Sequence, residues 1–593
     1  MRLELPVRPG ENLFSSLREA GYYFPSSCGG RGLCGRCKVR ALEGAEALSP
    51  PSAAEERLLT PEELSEGWRL ACQASVLKEG RLLLELPKPE HQLMLEGLER
   101  PVPLRPPAAK ASVKLVRPSL EDLRPDVERL FQAVGATRVD LSVLRELPDL
   151  LRSGQELHVV VRQGEVLAVR AEDFPLLGLA VDIGTTKLAA YLVDLEAGDL
   201  LATVGRVNPQ IAYGEDIVSR ITFAMREPGG ARVLQEVLVK GLNELVEEVC
   251  RLAKAEPSDV QEVVCVGNTV MHHTLLGISL AGLGVSPFTP AVAAPLEVKA
   301  RELGLRVGEG AYIYLPPPIA GFVGSDALAD AISSGLHETD ETAMLVDIGT
   351  NTEVILAHEG ELWACSCASG PAFEGWRITC GTRAIRGAID SVRLDERTGE
   401  VVFTTVGGEK PVGICGSGLI DALAELYRAG LLDRTGRMVK RPGLRRLRER
   451  PDGVLEFVLA WREEAATDHD VVITQKDVRE LQLAKAAIRT GAETLLARAG
   501  LSAEDLDVLY LAGAFGSSLN VVSARAIGLC PDVPEERIRF IGNAAGAGAR
   551  MLLKDVELRR EAEELARRVR FVELAVEPDF KEKFLEALAF PAF

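Results

Sequence analysis

The 593-residue chain has no surplus of positive charge: 68 lysines and arginines stand against 87 aspartates and glutamates, a formal net charge of −19. A phosphate backbone or an anionic bilayer would be repelled, so neither nucleic acid nor membrane is an expected partner. The chain also lacks any apolar run approaching about eighteen residues, and MRLELPVRPG at its start has no apolar core of signal-peptide length. A cytoplasmic protein is the expectation. In a reducing compartment its eleven cysteines make a poor disulfide framework, so a tight cysteine cluster points to metal. What is present is ordinary globular material, 47% hydrophobic and 26% charged, at a length that calls for about two to four domains.

Residues 1–88 alternate short β patterns with loops: RLELPV, KVRAL and RLLLEL read as strands and ENLFSSLREAG as a short helix. Residues 89–110 read as a linker, because the stretch LPKPEHQLMLEGLERPVPLRPPAAK holds six prolines that discourage helix and sheet alike. Residues 111–176 form a second small unit, with SVKLV and ELHVVVRQGEVLAVR as strands and SLEDLRPDVERLFQAVG as a helix. It carries no polar cluster that looks catalytic, so packing or dimerisation is its expected task. From 177 to 593, strand patterns alternate with long helices, the mark of an α/β fold long enough for two lobes.

An internal echo lies in this last region. LAVDIGTTKLAAYLVD at 179–194 is answered by MLVDIGTNTEVILAHEG at 344–360. Each is a strand, a D-I-G-T turn and a second strand. Gly184 and Gly349 leave no Cβ in the way, so backbone N–H groups and the hydroxyls of Thr185, Thr186, Thr350 and Thr352, with Asn351, can meet phosphate oxygens. Asp182 and Asp347, each at the end of a strand, are placed to hold Mg²⁺, chiefly through its waters.

Further parts follow in order, and together they resemble the superfamily of actin, sugar kinases and heat-shock chaperone ATPases, whose duplicated two-lobed fold closes on ATP. The two D-I-G-T turns resemble its phosphate loops. IAGFVGSDALADAISSGL and GNAAGAGARMLL resemble its two connecting helices, and LYLAGAFGSSLN its adenosine motif, with Gly513, Ala514, Phe515 and Gly516 leaving room for the nucleoside. Lys187 follows the first turn, where it is placed either to reach a phosphate or to stand in solvent. Asp326 corresponds by appearance to the carboxylate that sugar kinases use as base, placed to position or deprotonate a water; the plain alternative is a helix-start carboxylate. No sugar-binding signature is present, so ATP hydrolysis coupled to conformational change is expected. CASGPAFEG and GICGSGLIDALAEL each run into an expected helix, and Gly416, Ser417 and Gly418 are placed near the nucleotide. The spacing of Cys365, Cys367, Cys380 and Cys415 matches no common ligand set.

The cysteine-rich loop CGGRGLCGRC supplies Cys28, Cys34 and Cys37, and Cys72 follows after 34 intervening residues. Four thiolates and a glycine-rich wrap suit an iron–sulfur cluster. Zinc, which normally takes paired C-x₂₋₄-C knuckles, and a redox dithiol are the alternatives. The spacing is similar to that of vertebrate-type and related bacterial [2Fe–2S] ferredoxins, and the strand–helix–loop–strand order resembles their β-grasp fold.

The whole chain thus reads as multidomain α/β: a β-grasp ferredoxin domain, a small α+β middle domain, and a duplicated two-lobed actin-like (ribonuclease-H-like) ATPase domain. That order resembles the reductive activators of corrinoid proteins. The resemblance implies ATP-dependent return of an inactive Co(II) corrinoid to Co(I) for methyl transfer, with an upstream electron donor, a corrinoid-protein partner and a homodimer. Two alternatives are an activator of the 2-hydroxyacyl-CoA dehydratase type and an electron carrier that binds nucleotide without hydrolysing it.

Overall fold

A computed structural model describes residues 2–19, 37–85, 97–214, 216–395, 398–513 and 519–592. Cys28, Cys34, Ala514, Phe515 and Gly516 lie outside them. Among the described residues no helix is long and apolar enough to cross a membrane.

The first unit is a four-stranded sheet in the order Arg2–Val7, Gly80–Glu85, Lys38–Glu43, Trp68–Leu70, with the helix Leu13–Glu19 alongside. Alternate residues Leu5, Val7, Val39, Ala41, Leu82 and Leu84 turn inward, the period-two pattern of a half-buried sheet. Lys38 pairs with Leu70, so the chain enters one strand at Cys37 beside the point where it leaves its neighbour towards Cys72. Ala71 N–H donates to Cys37 O at 2.9 Å. Glu55, fully buried, fixes the delivering strand by accepting from Arg69 Nε at 2.9 Å and from Leu70 N at 3.0 Å.

The second small unit is a sheet in the order Ala108–Val113, Leu157–Arg162, Glu165–Arg170, Arg138–Val139, with helices Asp126–Val134 and Leu141–Ser153. Its first strand begins at Ala108, inside the stretch read as linker. Arg162 leaves this sheet to grip Glu262 at 2.7 Å and Glu297 at 2.6 Å, and Arg559 reaches Glu262 at 2.8 Å. Glu262 is completely buried, and removing one partner of such a network typically costs about 3–5 kcal/mol because the other charge is stranded.

Residues 97–107 are also anchored. Leu98 N–H donates to Ile541 O at 2.7 Å, Arg105 N–H to Lys554 O at 2.8 Å, and Arg105 forks onto the Asp555 carboxylate. Prolines keep this strap out of any sheet by removing N–H donors, yet the residues between them still find carbonyls on the neighbouring domain.

The rest is two lobes with the same plan. In the first, strands Leu177–Ile183, Lys187–Asp194 and Leu200–Val207 form an antiparallel meander, and Val260–Gly267 and Tyr312–Leu315 continue it in parallel. In the second, Ala343–Ile348, Thr352–His358 and Glu361–Cys367 form the meander, and Val508–Ala512 and Ile538–Gly542 extend it. The connecting helices Ser325–Ser334 and Ala544–Lys554 cross between the lobes. Their approach depends on glycine: a Cβ at Gly548 would stand 2.2 Å from Ala329 O.

Candidate nucleotide and cluster sites

Each D-I-G-T turn is a short hairpin tip, of four residues within the pair Ile183–Leu188 and of three within the pair Ile348–Thr352. The tips face each other: Thr186 Oγ1 and Thr350 Oγ1 are 2.7 Å apart. Thr350 donates its one hydroxyl proton to Glu374 Oε1 at 3.0 Å, so Thr186 is the donor to Thr350. Thr185 Oγ1 accepts from Asn268 Nδ2 at 3.0 Å, and its carbonyl from Arg220 Nη2 at 2.6 Å. Thr352 Oγ1 and Ser369 Oγ lie 2.8 Å apart. The glycines are sterically required: a Cβ at Gly184 would stand 2.7 Å from Lys187 O, and one at Gly513, where φ is +96°, 2.4 Å from Ile348 O and 2.7 Å from Asp347 Oδ1. Gly349 is less constrained, its nearest neighbour Asn351 O being 3.0 Å from such a Cβ. Lys187 is open to solvent at the cleft but walled by protein, which lowers its ammonium pKa; Glu374 opposes the shift and Arg383 adds to it.

Behind the loops lies a concentration of carboxyl groups, Asp182, Asp326, Asp330, Asp347 and Glu353. Burial raises Asp182 to about 6, with an opposing hydrogen bond from Asn543 Nδ2 at 2.9 Å. Burial, reinforced by neighbouring carboxylates, raises Asp326 to about 7 and Asp347 to about 7, and pushes Asp330 and Glu353 well above the carboxylate range. Among the described residues no N–H or hydroxyl reaches either oxygen of buried Asp330, whose side-chain hydrogen-bond partner is the Asp347 carboxyl. A donor set made only of oxygen, in which two buried carboxyls share a hydrogen bond and, among the described residues, no lysine or arginine is paired to them, fits a hard divalent cation such as Mg²⁺.

These shifts have a signed consequence. Above the ordinary carboxylate range and up to the raised folded pKa, folded Asp330 keeps a proton that the unfolded chain has lost. Its contribution to stability therefore falls as pH rises through that window. Asp330→Asn should gain on the wild type in thermal melts as pH rises above the ordinary carboxylate range, with a smaller gap when Mg²⁺ is present. A gap that is constant with pH would contradict the assignment.

In the first unit, Cys37 and Cys72 are both buried at one end of the sheet. Cys72 O accepts from Asn12 Nδ2 at 3.1 Å, and Gln73 Nε2 lies 3.5 Å from Cys72 Sγ. Strand register thus brings Cys37 and Cys72 to neighbouring positions at one end of the sheet, with amide donors beside Cys72. That suits a cluster held by cysteine.

Four family profiles match the chain: the C-terminal ASKHA domain of RACo over residues 341–593, the RACo middle region over 177–339, the RACo linker region over 97–174, and the 2Fe-2S iron-sulfur cluster binding domain over 2–77. The corrinoid activation enzyme RamQ of Eubacterium limosum is 31% identical over 573 residues, spanning 94% of this chain and 92% of its own. The chain belongs to the reductive activators of corrinoid proteins. A second relative of this activator, the Co(II) methylated amine-specific corrinoid protein reductase of Methanosarcina barkeri, is 26% identical over 437 residues, spanning 66% of this chain and 73% of its own. The solved structure of a reductive activator for a corrinoid, iron-sulfur protein matches with a TM-score of 0.76 at 36% identity, covering 99% of this chain and 96% of that one.

Gly416, Ser417 and Gly418 open the helix Gly416–Arg428 of the activator, as expected, and a Cβ at Gly418 would stand 2.3 Å from Ile389 O. CASGPAFEG does not run into an α-helix but into the single 3₁₀ turn Pro371–Glu374, because Gly370 at φ +73° and Gly375 at φ +83° bracket it. What that turn contributes is Glu374, which orients Thr350. Cys415 Sγ bonds Ile389 O, and Cys380 Sγ lies 3.4 Å from Val472 N, so each is accounted for locally. Asp330 was legible as a partner of Asp326, four residues on along one helix face. Asn543, Asn268 and Arg220 had no such signal, for their contacts join segments distant in sequence.

Proposed function

We propose that the activator uses ATP to drive one electron from a [2Fe–2S] cluster held by Cys28, Cys34, Cys37 and Cys72 into the Co(II) of a corrinoid protein, restoring Co(I). When bound, the cluster supplies a one-electron centre near about −400 mV, the range of plant-type ferredoxins. An upstream reductant reloads it. The observation that carries the reading is the pairing, in one chain, of a ferredoxin domain with two phosphate loops meeting over uncompensated carboxylates.

Thr185, Thr186 and Lys187 from one lobe and Gly349, Thr350, Asn351 and Thr352 from the other hold the phosphates, while Gly513 to Gly516 leave space for the nucleoside. Asp182 and Asp347 take Mg²⁺, which offsets phosphate charge when bound. Asp326, with a pKa of about 7, orients or deprotonates the attacking water near its operating pH. Phosphates entering between Thr186 and Thr350 must part their hydroxyl contact, so the nucleotide state alters lobe closure. That change acts on the docked corrinoid protein, altering cobalt coordination or affinity. The exposed Leu120, Leu123 and Val116 of the middle domain support a second copy as its partner.

Mixing reduced activator, ATP and a Co(II) corrinoid protein should give Co(I) absorbance and faster ATP turnover. Turnover indifferent to the corrinoid protein, with no Co(I), would refute the reading.

A further inference from the structure

The strap 97–107 and the nucleotide loops meet at one residue. Asn543 donates from Nδ2 to Asp182 Oδ2 at 2.9 Å and to Tyr191 OH at 3.1 Å, while its Oδ1 accepts from Gly546 N at 2.8 Å and caps the second connecting helix. The amide group is thereby committed on both sides and cannot turn without breaking three bonds. Its backbone is equally constrained. Gly97 lies so close that a Cβ there would stand 2.0 Å from Asn543 O, and Gly97 forms a β-bridge with Gly542. Gly542 O in turn accepts from Gly513 N at 2.9 Å, at the start of the adenosine turn.

The strap is bound to the same helix further on. Glu99 pairs with Arg550 at 2.7 Å and with Lys554, and Arg550 lies over the Tyr191 ring at 4.9 Å. Residues 541–554 thus contact the first phosphate-loop aspartate, the adenosine turn and the chain that leads back to the ferredoxin domain. A cation taken up at Asp182 competes with Asn543 for the carboxylate. Any adjustment of Asn543 meets Gly97 without clearance, since close-packed contacts shift rather than compress.

We propose that Asn543 is a positioning residue that couples occupancy of the Asp182 loop by a Mg²⁺–nucleoside triphosphate to the 97–107 strap. This rests on the ATPase reading above. Coupling of this kind is reciprocal: if nucleotide shifts the strap, disturbing the strap must change nucleotide affinity by the same factor.

The test is amide hydrogen exchange of segment 97–107 in the full-length, cluster-loaded protein, with and without Mg²⁺ and a non-hydrolysable ATP analogue, alongside calorimetric binding of the analogue. In the wild type the analogue should change strap exchange by at least about threefold. Asn543→Ser keeps a capping oxygen for Gly546 N but loses the donor to Asp182. It should retain nucleotide-free strap protection within about twofold of the wild type and lose the response to nucleotide. Gly97→Val, remote from the phosphates, should weaken analogue binding by about 5- to 20-fold. Wild-type strap exchange that ignores bound analogue, an Asn543→Ser protein that responds like the wild type, or unchanged affinity in Gly97→Val would each overturn the coupling alone. Failure of the wild type to bind the analogue at all would instead overturn the ATPase reading and the coupling with it.

Discussion

Cys72→Ala should yield a protein without the visible absorbance of an iron–sulfur cluster and without any Co(I) formation, while ATP turnover stays within about twofold of the wild type. The expectation follows from placement. Cys72 leaves the strand Trp68–Leu70 beside Cys37 because Lys38 pairs with Leu70, and buried Glu55 pins that strand through Arg69 and Leu70 N. An alanine keeps the strand and Cys72's backbone bond from Asn12 but removes one of the four thiolates proposed to hold the cluster. None of the nucleotide loops includes a residue of the ferredoxin domain, so hydrolysis should survive. If Cys72→Ala retained the spectrum, the fourth ligand would be another residue.

Asp347→Asn is expected to act the other way round. It should lower ATP turnover by about 10²- to 10³-fold, the usual scale for losing one group that stabilises charge in a transition state, with the cluster spectrum unchanged. Asp347 ends the strand Ala343–Ile348 among Asp182, Asp326 and Asp330, with its pKa raised to about 7. An amide there keeps the shape, loses the anionic ligand and relieves like-charge repulsion. Nucleotide-free Asp347→Asn should therefore melt no lower than the wild type even as turnover collapses. A carrier that binds nucleotide without hydrolysing it would have no turnover to lose, so the same assay separates the two classes.

The parts of the fold readable from sequence were those set by local pattern. D-I-G-T between two apolar strands specifies a hairpin tip twice over, and the alternation in RLELPV, KVRAL and RLLLEL specifies the first sheet. What escaped had a physical reason each time. The helix Leu141–Ser153 contains Pro148, which argues against helix, yet Asp140 caps it and Val143, Leu147 and Leu151 bury one face at four-residue spacing. The strap 97–107 reads as a free linker because prolines deny it a ladder, whereas its anchors are scattered carbonyls and the pairs Glu99–Arg550 and Arg105–Asp555. Gly418 is also required by a neighbouring strand, whose Ile389 O leaves no room for a Cβ, a contact that its helix-start motif does not announce. Asn543 lies in a motif visible from sequence, but its partner Asp182 is 361 residues away, a distance across which no local pattern operates.

The most direct test of the central claim is a rapid-mixing experiment in which activator with a pre-reduced cluster meets a Co(II) corrinoid protein, with and without Mg²⁺ and ATP. The account predicts that Co(I) absorbance rises as the cluster bleaches, only when ATP is present, and that Asp347→Asn and Cys72→Ala each abolish it. Co(I) forming at the same rate and extent without ATP would contradict the account.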